Sequence, residues 1–306
     1  HERRVTPDAL EVLPRVIAAH DEPFGDPSSI PTWYVCQVAR QDVTVCLSGD
    51  GGDELFAGYA RYATLAGEAA RLAWPRAVRT LAARLPVGRA EGRTRNKLER
   101  IAAADAEEHY ARFRAIFSAS MREQLWSTEA RARIDADATA ALFEVMPRAW
   151  RDSDDVGRMQ ACDFGVYLPD DVLTKVDRMS MDHSLEARVP LLDHEVVEYA
   201  FALPTALKYQ PGRSKAILRD LIEPHLPRAV LEHPKQGFSV PLSSWMRGPL
   251  AAQLRALPER PAYREGGLFE PSYVRRLVEL HLSGEQELGW PLWQLLIYDA
   301  WAEAQE

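Results

Sequence analysis

The chain has 306 residues, of which 46% are hydrophobic and 27% are charged, and its formal net charge is −8. This composition is typical of a soluble globular protein with one large domain or two ordinary ones. The acidic balance argues against a nucleic-acid-binding protein, which would present a basic face. No apolar run reaches the about 20 residues of a transmembrane helix. Since the sequence contains no secretory signal peptide either, we expect a cytoplasmic protein.

Residues 1–66 carry the signals of an α/β unit. The apolar spacing predicts helices over residues 7–19 and 32–41. The β-branched run VTVCLSG, residues 43–49, predicts a buried strand. After a glycine-rich turn, residues 54–66 again have helical spacing. Helix, strand, turn and helix in this order predict part of a parallel sheet.

The rest of the chain predicts helices. Residues 67–160 are rich in alanine, arginine and glutamate, with breaks expected near Pro75, residues 86–92 and Pro147. Residues 161–306 are punctuated by prolines and end in an amphipathic helix. We expect one stripe of that last helix to pack in the core: Trp293, Leu296, Ile297 and Ala300.

The three cysteines are odd in number, and their spacing fits no zinc-binding pattern. Cys46 stands in an apolar run and Cys162 beside an alanine, so we expect buried, reduced thiols rather than disulfides. The remaining cysteine is Cys36.

The stretch CLSGDGGDELFAGYARY, residues 46–62, contains four glycines. Glycines let a backbone approach a ligand, and the free N–H groups of a helix start favour an anion. Asp50, Asp53 and Glu54 would repel a phosphate unless a cation intervenes, and Mg²⁺ is the usual solution. The pattern therefore predicts a magnesium–nucleotide site. The alternative for Asp53 and Glu54 is a plain acidic helix start that complements the helix dipole.

This stretch is neither of two familiar loops. It lacks the Gly-Lys-Ser/Thr ending of a P-loop. It also lacks the alternating Asp/Asn ligands of an EF-hand.

A second charged constellation is LPDDVLTKVDRMSMDHSLEARVPLLDHE, residues 168–195. Helical spacing places Asp171, Lys175 and Arg178 on one face. Because methionines, leucines and valines are interspersed with the charges, we expect buried ion pairs that shape a site; a solvated surface is the alternative.

The third constellation is KYQPGRSKAILRDLIEPHLP, residues 208–227. Lys215 and Arg219 lie one helical turn apart, where cations suit a phosphate leaving group or a developing negative charge. The predicted buried stripe of this helix is Ile217, Leu218, Leu221 and Ile222.

Together, SGDGGDELFAGYARY, LTKVDRMSM…LEARVPLLD and GRSKAILRD…LP…PKQGF resemble the synthetase domain of glutamine-dependent asparagine synthetases, from about Asp21 onward. The resemblance implies an adenine-nucleotide α-hydrolase-like α/β fold, a parallel sheet with extensive helical additions, truncated here at its N-terminal side. We interpret residues 1–306 as one partial domain of this type. It would comprise an α/β nucleotide part over 1–66, a helical section over 67–160 and a helical substrate-side section over 161–306.

The activity that the resemblance implies is that of an ATP-dependent ligase of asparagine biosynthesis. ATP and Mg²⁺ would activate the β-carboxylate of aspartate as an acyl-adenylate, releasing pyrophosphate. Ammonia from a glutaminase domain would then attack to give asparagine and AMP. The implied partners are thus small molecules and a glutaminase domain, with a homodimer as the candidate assembly and no nucleic acid or membrane.

The resemblance also implies roles for individual positions. It implies ATP contacts at Ser48, Gly49 and Gly51, magnesium binding at Asp53 with Glu54 as a second candidate, and catalysis by Asp50 and Lys215. Asp50 matches a position linked to adenylate formation and ammonia attack, and Lys215 matches the lysine that stabilises charge during transfer. The positions that match the substrate-side segment are Asp177, Arg178, Glu186 and Arg188.

Two features of the family are absent from this sequence. One is the pyrophosphate loop of the form SGGxDS, expected on the first strand of the sheet, and the other is the N-terminal glutaminase domain. The chain starts at His1, and we interpret both absences as truncation. We therefore expect this chain alone to be inactive or severely impaired.

Three other functions remain open. An amidotransferase of an exopolysaccharide or exosortase cluster, acting on another carboxylic acid, shares these motifs. A β-lactam-forming synthetase is disfavoured by Asp50, because that group typically has tyrosine at this position. A non-catalytic remnant is disfavoured because Ser48, Asp50, Asp53 and Lys215 are all retained.

Overall fold

The computed structural model describes residues 3–6, 8–85, 87, 89, 91–134, 153–231, 238, 240–264 and 267–305. The first elements are α1 (Ala9–His20), α2 (Ser29–Ala39), β1 (Val45–Leu47), α3 (Gly52–Leu55) and α4 (Ala60–Leu72). Then come α5 (Arg76–Arg84), α6 (Arg93–Ile101), α7 (Ala106–Arg114), α8 (Ala119–Leu125), α9 (Thr128–Arg133) and α10 (Asp155–Cys162). A π-helix (Asp163–Leu173) leads into α11 (Thr174–Met181), β2 (Glu186–Arg188), α12 (His194–Ala202), α13 (Thr205–Lys208), β3 (Tyr209–Gln210) and β4 (Arg213–Ser214).

The remaining helices are α14 (Ala216–Ile222), α15 (Arg228–Leu231), α16 (Leu242–Arg247), α17 (Ala251–Ala256), α18 (Pro261–Arg264), α19 (Pro271–Leu282) and α20 (Gly289–Ala304). Short 3₁₀ turns lie at Pro190–Leu192, Glu223–His225 and Leu257–Glu259. The architecture is thus mostly helical with a small sheet, which confirms the predicted α/β class at a coarse level. No described helix is both long and apolar enough to cross a membrane.

The main hydrophobic core joins the two ends of the chain. It brings α1 and α2 together with α16, α17, α19 and α20. The predicted apolar stripe of the last helix is confirmed, since Trp293, Leu296 and Ile297 are each at most 4% exposed. A second core packs α4 against α7 and α10, and a third packs α3 against α12 and the π-helix.

Several predicted boundaries agree with the structure, and others lie outside it. The two helices predicted at the start form as α1 and α2, and the break near Pro75 separates α4 from α5. The predicted break at Pro147 and the PKQGF motif, residues 234–238, lie outside the described residues except for Phe238. The division at residues 66 and 160 stays a prediction.

The predicted strand forms as β1, but the expectation that it is buried is wrong. Leu47 is 74% exposed and Val45 is 38% exposed. β1 pairs in parallel only with β2 among the described strands, in the register Val45–Glu186. A β-branched run shows that a strand forms, but its burial depends on neighbouring elements that the run does not specify.

The continuous helix predicted over residues 54–66 is also wrong. α3 ends at Leu55, and α4 begins only at Ala60. Between them, Ala57 adopts a left-handed backbone conformation with φ of 54°. This conformation breaks a right-handed helix, and it turns the chain sharply just after the glycine-rich loop.

The predicted stripe of α14 is confirmed only in part. Ile217 and Leu218 pack against the third core. Leu221 is 66% exposed and Ile222 is 38% exposed, so the stripe is narrower than its spacing predicts.

Asp163 is the centre of a buried polar cluster beneath the α3–α4 turn. Its carboxylate is fully buried, accepts hydrogen bonds from Tyr62 at 2.5 Å and from Tyr110, and forms an ion pair with Arg61 at 2.8 Å. A buried charge is tolerated when it is paired and hydrogen-bonded in this way. The cluster fixes the start of α4 and, with it, the position of the preceding loop.

Candidate functional site

The glycine-rich loop connects the end of β1 to the start of α3. The Ser48 amide donates to the Arg188 carbonyl at 2.8 Å, which extends the β1–β2 pairing by one residue. Gly51 has φ of 79°, and a Cβ built on it would lie 2.3 Å from Leu192 Cδ2. The position therefore requires glycine, both for its backbone conformation and for its close packing.

Lys215 brings a cation to this loop from a distant part of the chain. It stands just before α14 in a left-handed conformation, with φ of 53°, which is uncommon for a residue with a side chain. Its Nζ lies 3.0 Å from Asp53 Oδ1. Such local strain persists where the surrounding structure enforces it, and it is typical of functional sites.

Two further glycines leave room for this lysine. A Cβ on Gly52 would lie 3.5 Å from Lys215 Nζ. A Cβ on Gly58 would lie 1.8 Å from Asp53 Oδ1 and 2.3 Å from Lys215 Cε. Gly58 is not among the site residues predicted from the sequence, although its place in the same glycine-rich stretch was a usable signal.

Replacing Gly58 by alanine is expected to force Asp53 and Lys215 apart. The added methyl group overlaps both side chains, and a displacement of about 1 Å at a reacting centre can cost up to ~10²-fold in rate. The check is a comparison of ATP-dependent activity and melting temperature between Gly58→Ala and Gly67→Ala, because a Cβ at Gly67 meets no atom within 4 Å. Equal activity in the two variants would show that the space at Gly58 is not needed to keep Asp53 and Lys215 in place.

Asp50 and Ser48 contact each other directly. The Ser48 hydroxyl donates to the Asp50 carboxylate. This hydrogen bond holds the two polar groups together at the edge of the loop, where both residues are only partly buried. Gly49 lies between them, and a Cβ there would meet nothing within 4 Å.

Glu54 lies inside the protein. Its side chain is 1% exposed and accepts a hydrogen bond of 2.5 Å from Tyr59. Burial raises the pKa of its carboxyl group, with smaller contributions from neighbouring charges. The structure therefore does not place Glu54 with Asp53 as a metal ligand, which leaves Asp53 as the candidate.

Gln160 supports the loop from below, a role that the sequence analysis missed. Its side-chain amide is fully buried and donates to the carbonyl oxygens of Glu54 at 2.7 Å and Leu55 at 2.9 Å. Since these carbonyls end α3, the amide fixes the short helix that carries Asp53.

The substrate-side segment is divided between two environments. Lys175 is buried and forms an ion pair with Asp26 at 2.7 Å, which confirms one buried pair. Arg178 pairs with Asp21 and Arg188 pairs with Glu186, and these four side chains are 44–74% exposed. Asp177 is exposed. The predicted buried ion pairs are therefore wrong for Arg178 and for Glu186–Arg188.

The buried group next to Lys175 leads to a pH prediction. Burial and the neighbouring Asp26 carboxylate raise the pKa of Asp171 to about 7, from 3.8 in the ordinary case. Between these values the folded protein keeps a proton that the unfolded chain has lost, so this group's contribution to stability falls as pH rises. Urea unfolding should show the stability of the native protein declining relative to Asp171→Asn across this window. Parallel curves would contradict the shift.

Asp53 and the glycine-rich loop fit a magnesium-bound nucleotide. Mg²⁺ is usually held by one or two carboxylates together with phosphate oxygens, and Asp53 supplies one carboxylate beside the open backbone of the loop. No described group of three or more His, Cys, Asp or Glu side chains could hold a metal alone. A magnesium ion here would therefore need further ligands, such as phosphate oxygens and water.

The family found by comparison with known proteins is the one that the three sequence motifs resemble. Residues 1–303 match the family described as asparagine synthase. A "Putative asparagine synthetase [glutamine-hydrolyzing]" of Mycobacterium tuberculosis is 33% identical over 301 residues, covering 95% of this chain and 44% of that protein. "Asparagine synthetase [glutamine-hydrolyzing] 1" of Bacillus subtilis is 30% identical over 293 residues, covering 95% of this chain and 45% of that protein.

The chain thus spans less than half the length of these curated relatives. The likeness extends almost from end to end of the chain, and it includes the glycine-rich loop and the Lys215 segment. On these grounds, the protein belongs to the asparagine synthase family.

Proposed function

We propose that this chain carries the ATP-dependent part of an asparagine-forming ligase. In this reaction, the β-carboxylate of aspartate attacks ATP to give an acyl-adenylate and pyrophosphate, and ammonia then displaces AMP to give asparagine. The observation that carries the proposal is the contact between Lys215 and Asp53 beside the glycine-rich loop. It puts a cation and a candidate magnesium ligand at one end of a backbone suited to phosphates.

Each residue has a distinct part in the proposal. Asp53 would hold Mg²⁺, which neutralises phosphate charge when bound. Ser48, Gly49 and Gly51 would contact the nucleotide through the loop. Lys215 would stabilise the negative charge that develops on the transferring groups, since its ammonium is already held at this position.

Asp50 is the candidate proton acceptor. Attacking ammonia must lose a proton as the amide forms, and a carboxylate within hydrogen-bond reach can accept it. The hydrogen bond from Ser48 orients this carboxylate at the loop. Asp50 would thus act in the second half of the reaction, after Lys215 has acted in the first.

The ammonia in this proposal comes from outside residues 1–306. The names of the relatives include glutamine hydrolysis, and we propose glutamine-derived ammonia from a glutaminase domain as the nitrogen donor. We also propose that this chain alone is inactive. In support, parallel sheets are normally covered on both faces, whereas β1 exposes Leu47.

ATP–pyrophosphate exchange tests the proposal. The protein, in the form that its gene encodes, is assayed with and without aspartate. Aspartate-dependent exchange is the expected result. ATP binding without such exchange would instead favour an amidotransferase that acts on another carboxylic acid, and absence of ATP binding would favour a non-catalytic remnant.

Exchange at a normal rate by residues 1–306 alone would contradict only the claim that the isolated chain is inactive. That assay therefore tests the need for a further segment separately from the reaction itself.

A further inference from the structure

A small cavity of about 60 Å³ is lined by residues of α6, α7 and α8, and neither the glycine-rich loop nor Lys215 contributes to it. Each of the three helices supplies one arginine to the lining: Arg100, Arg112 and Arg122. The other polar residues of the described lining are Asn96, Glu99 and Ser118. A cavity of this size holds several water molecules or one small ion, whereas a drug-sized ligand needs roughly 300 Å³ or more.

Arg122 is a partly buried cation without a counter-ion. Its guanidinium donates to the Phe117 carbonyl at 2.8 Å, and it forms no ion pair within the part of the chain that the structure describes. Burial lowers the pKa of this guanidinium, and the nearby charges of Glu99 and Arg112 act on it in opposite directions. Its surroundings therefore disfavour the charged form. An anion bound in the cavity would offset this effect.

The carboxylates near the cavity are already matched by other arginines. Glu99, the acidic residue of the described lining, pairs with Arg95 at 2.9 Å. The carboxylates that pair with the other two lining arginines, Arg100 and Arg112, stand outside the lining: Glu68 and Glu108. Each of these three carboxylates thus has one arginine of its own, and Arg122 is the cation in excess. The cavity therefore has a positive potential that favours an anion.

Two further polar groups of the lining lack a partner. Arg100 Nε and Asn96 Oδ1 are both buried, and neither has a hydrogen-bond partner among the described residues. Buried polar atoms are rarely left unpaired in proteins. The Arg100 guanidinium is also held in place, because its carbon lies 5.0 Å from the centroid of the Phe113 ring, another part of the lining. Three incompletely satisfied polar side chains thus line one cavity, which indicates a missing ligand.

We propose that this cavity binds a single phosphate group. The phosphate oxygens would accept hydrogen bonds from Arg122 and from Arg100 Nε. The amide of Asn96 would contact a further oxygen, because an amide can present either its NH₂ group or its carbonyl oxygen by turning about its last bond. The site is separate from the proposed nucleotide site, and it does not depend on the reaction proposed there.

The arrangement of the donors favours phosphate over a carboxylate. Guanidinium groups match both anions. A carboxylate has two oxygens in one plane, whereas a phosphate group carries more oxygens, which point in several directions and are strong acceptors. Because the lining arginines come from three different helices, their donors approach the cavity from different sides. A tetrahedral anion can accept from all of these sides at once.

Calorimetric titration of the protein, in the form that its gene encodes, tests the proposal. The probes are inorganic phosphate, methyl phosphate and acetate. We expect inorganic phosphate to bind with a Kd below about 1 mM. Acetate should bind roughly tenfold more weakly or worse, as for loss of a charged hydrogen bond. Methyl phosphate distinguishes two sources of the group, and both results support a phosphate site: equal affinity indicates the phosphate of a larger molecule, and weaker affinity indicates the free ion.

Ala119→Glu locates the site without removing a packed side chain. Ala119 lines the cavity, is exposed and begins α8, where an acidic residue suits the helix dipole. The new carboxylate should repel phosphate and weaken its binding by roughly tenfold or more. Thr128→Glu is the matched control, because it puts the same charge at the exposed first residue of α9, outside the lining. It should bind phosphate as the native protein does.

Arg122→Gln tests the cation itself. It should also weaken phosphate binding by roughly tenfold or more, whereas Arg131→Gln, at an exposed arginine of α9, should not. Lys215→Ala should leave phosphate binding unchanged, because it alters the proposed nucleotide site alone. Melting temperatures of all variants should be measured to verify that each protein is folded.

Three results would overturn the proposal. One is the absence of phosphate binding at the millimolar level, which would leave the cavity to water. Another is equal binding of acetate and phosphate. The third is native phosphate affinity in a folded Ala119→Glu or Arg122→Gln protein. If Lys215→Ala alone lost phosphate binding, the ion would belong to the proposed nucleotide site instead.

Discussion

Replacing Asp53 by asparagine should lower kcat/KM for Mg-ATP by roughly 10²-fold or more, as for loss of a key electrostatic contact in an active site. Asparagine keeps the size of the side chain and one oxygen acceptor, but it removes the negative charge. Both the attraction for magnesium and the ion pair with Lys215 would then be lost. Because the side chain is only a quarter exposed, little solvent screening weakens these interactions.

The measurement is steady-state kinetics at several magnesium concentrations, with the protein as its gene encodes it. Asp42→Asn is the matched control, because Asp42 forms an exposed ion pair with Arg3, and such pairs contribute little. Excess magnesium should recover part of the activity of Asp53→Asn but leave Asp42→Asn unchanged. Activity near that of the native protein in Asp53→Asn would refute the ligand assignment.

The residue types of the candidate site can be read from the sequence, whereas its geometry cannot. Glycines and carboxylates in one stretch predict a loop for a phosphate and a cation, and the motif around Lys215 predicts a role for that lysine. Their meeting at 3.0 Å depends on the left-handed conformation of Lys215 and on the space at Gly58. Neither feature has a periodic signal in the sequence.

The fold was predictable where local signals are strong. The ends of the chain form helices as expected, because apolar spacing alone specifies a helix that packs on a core. The burial of β1 and the length of the helix after the loop were not predictable. The first depends on what covers Leu47, and the second on a single left-handed residue, Ala57.

The polar residues that support the loop were missed for a physical reason. Gln160 and Asp163 are fully buried, yet glutamine and aspartate are residue types that mostly lie at the surface. Their role appears only when their partners, Glu54 and Arg61, are brought close by the fold. Buried hydrogen-bond networks connect distant segments, and no short pattern encodes them.

Lys215→Ala should lower kcat by roughly 10²–10³-fold while changing the affinity for ATP much less. The physical reason is that a charge aimed at developing negative charge stabilises the transition state more than the bound substrate. In the structure, the Lys215 ammonium pairs with Asp53, and the missing side chains of Gly52 and Gly58 leave room for it. It therefore needs little reorganisation before it acts. The dissociation constant for ATP and the single-turnover rate should therefore be measured separately.

Lys215→Met separates charge from packing, because methionine keeps an apolar stem of similar length. It should lose as much kcat as Lys215→Ala, whereas Lys97→Ala, at an exposed lysine of α6, should behave as the native protein does. If Lys215→Met kept a native kcat, the stem would matter and the charge would not. If both variants lost only ATP affinity, Lys215 would be a binding residue, and its proposed part in stabilising charge during transfer would be wrong.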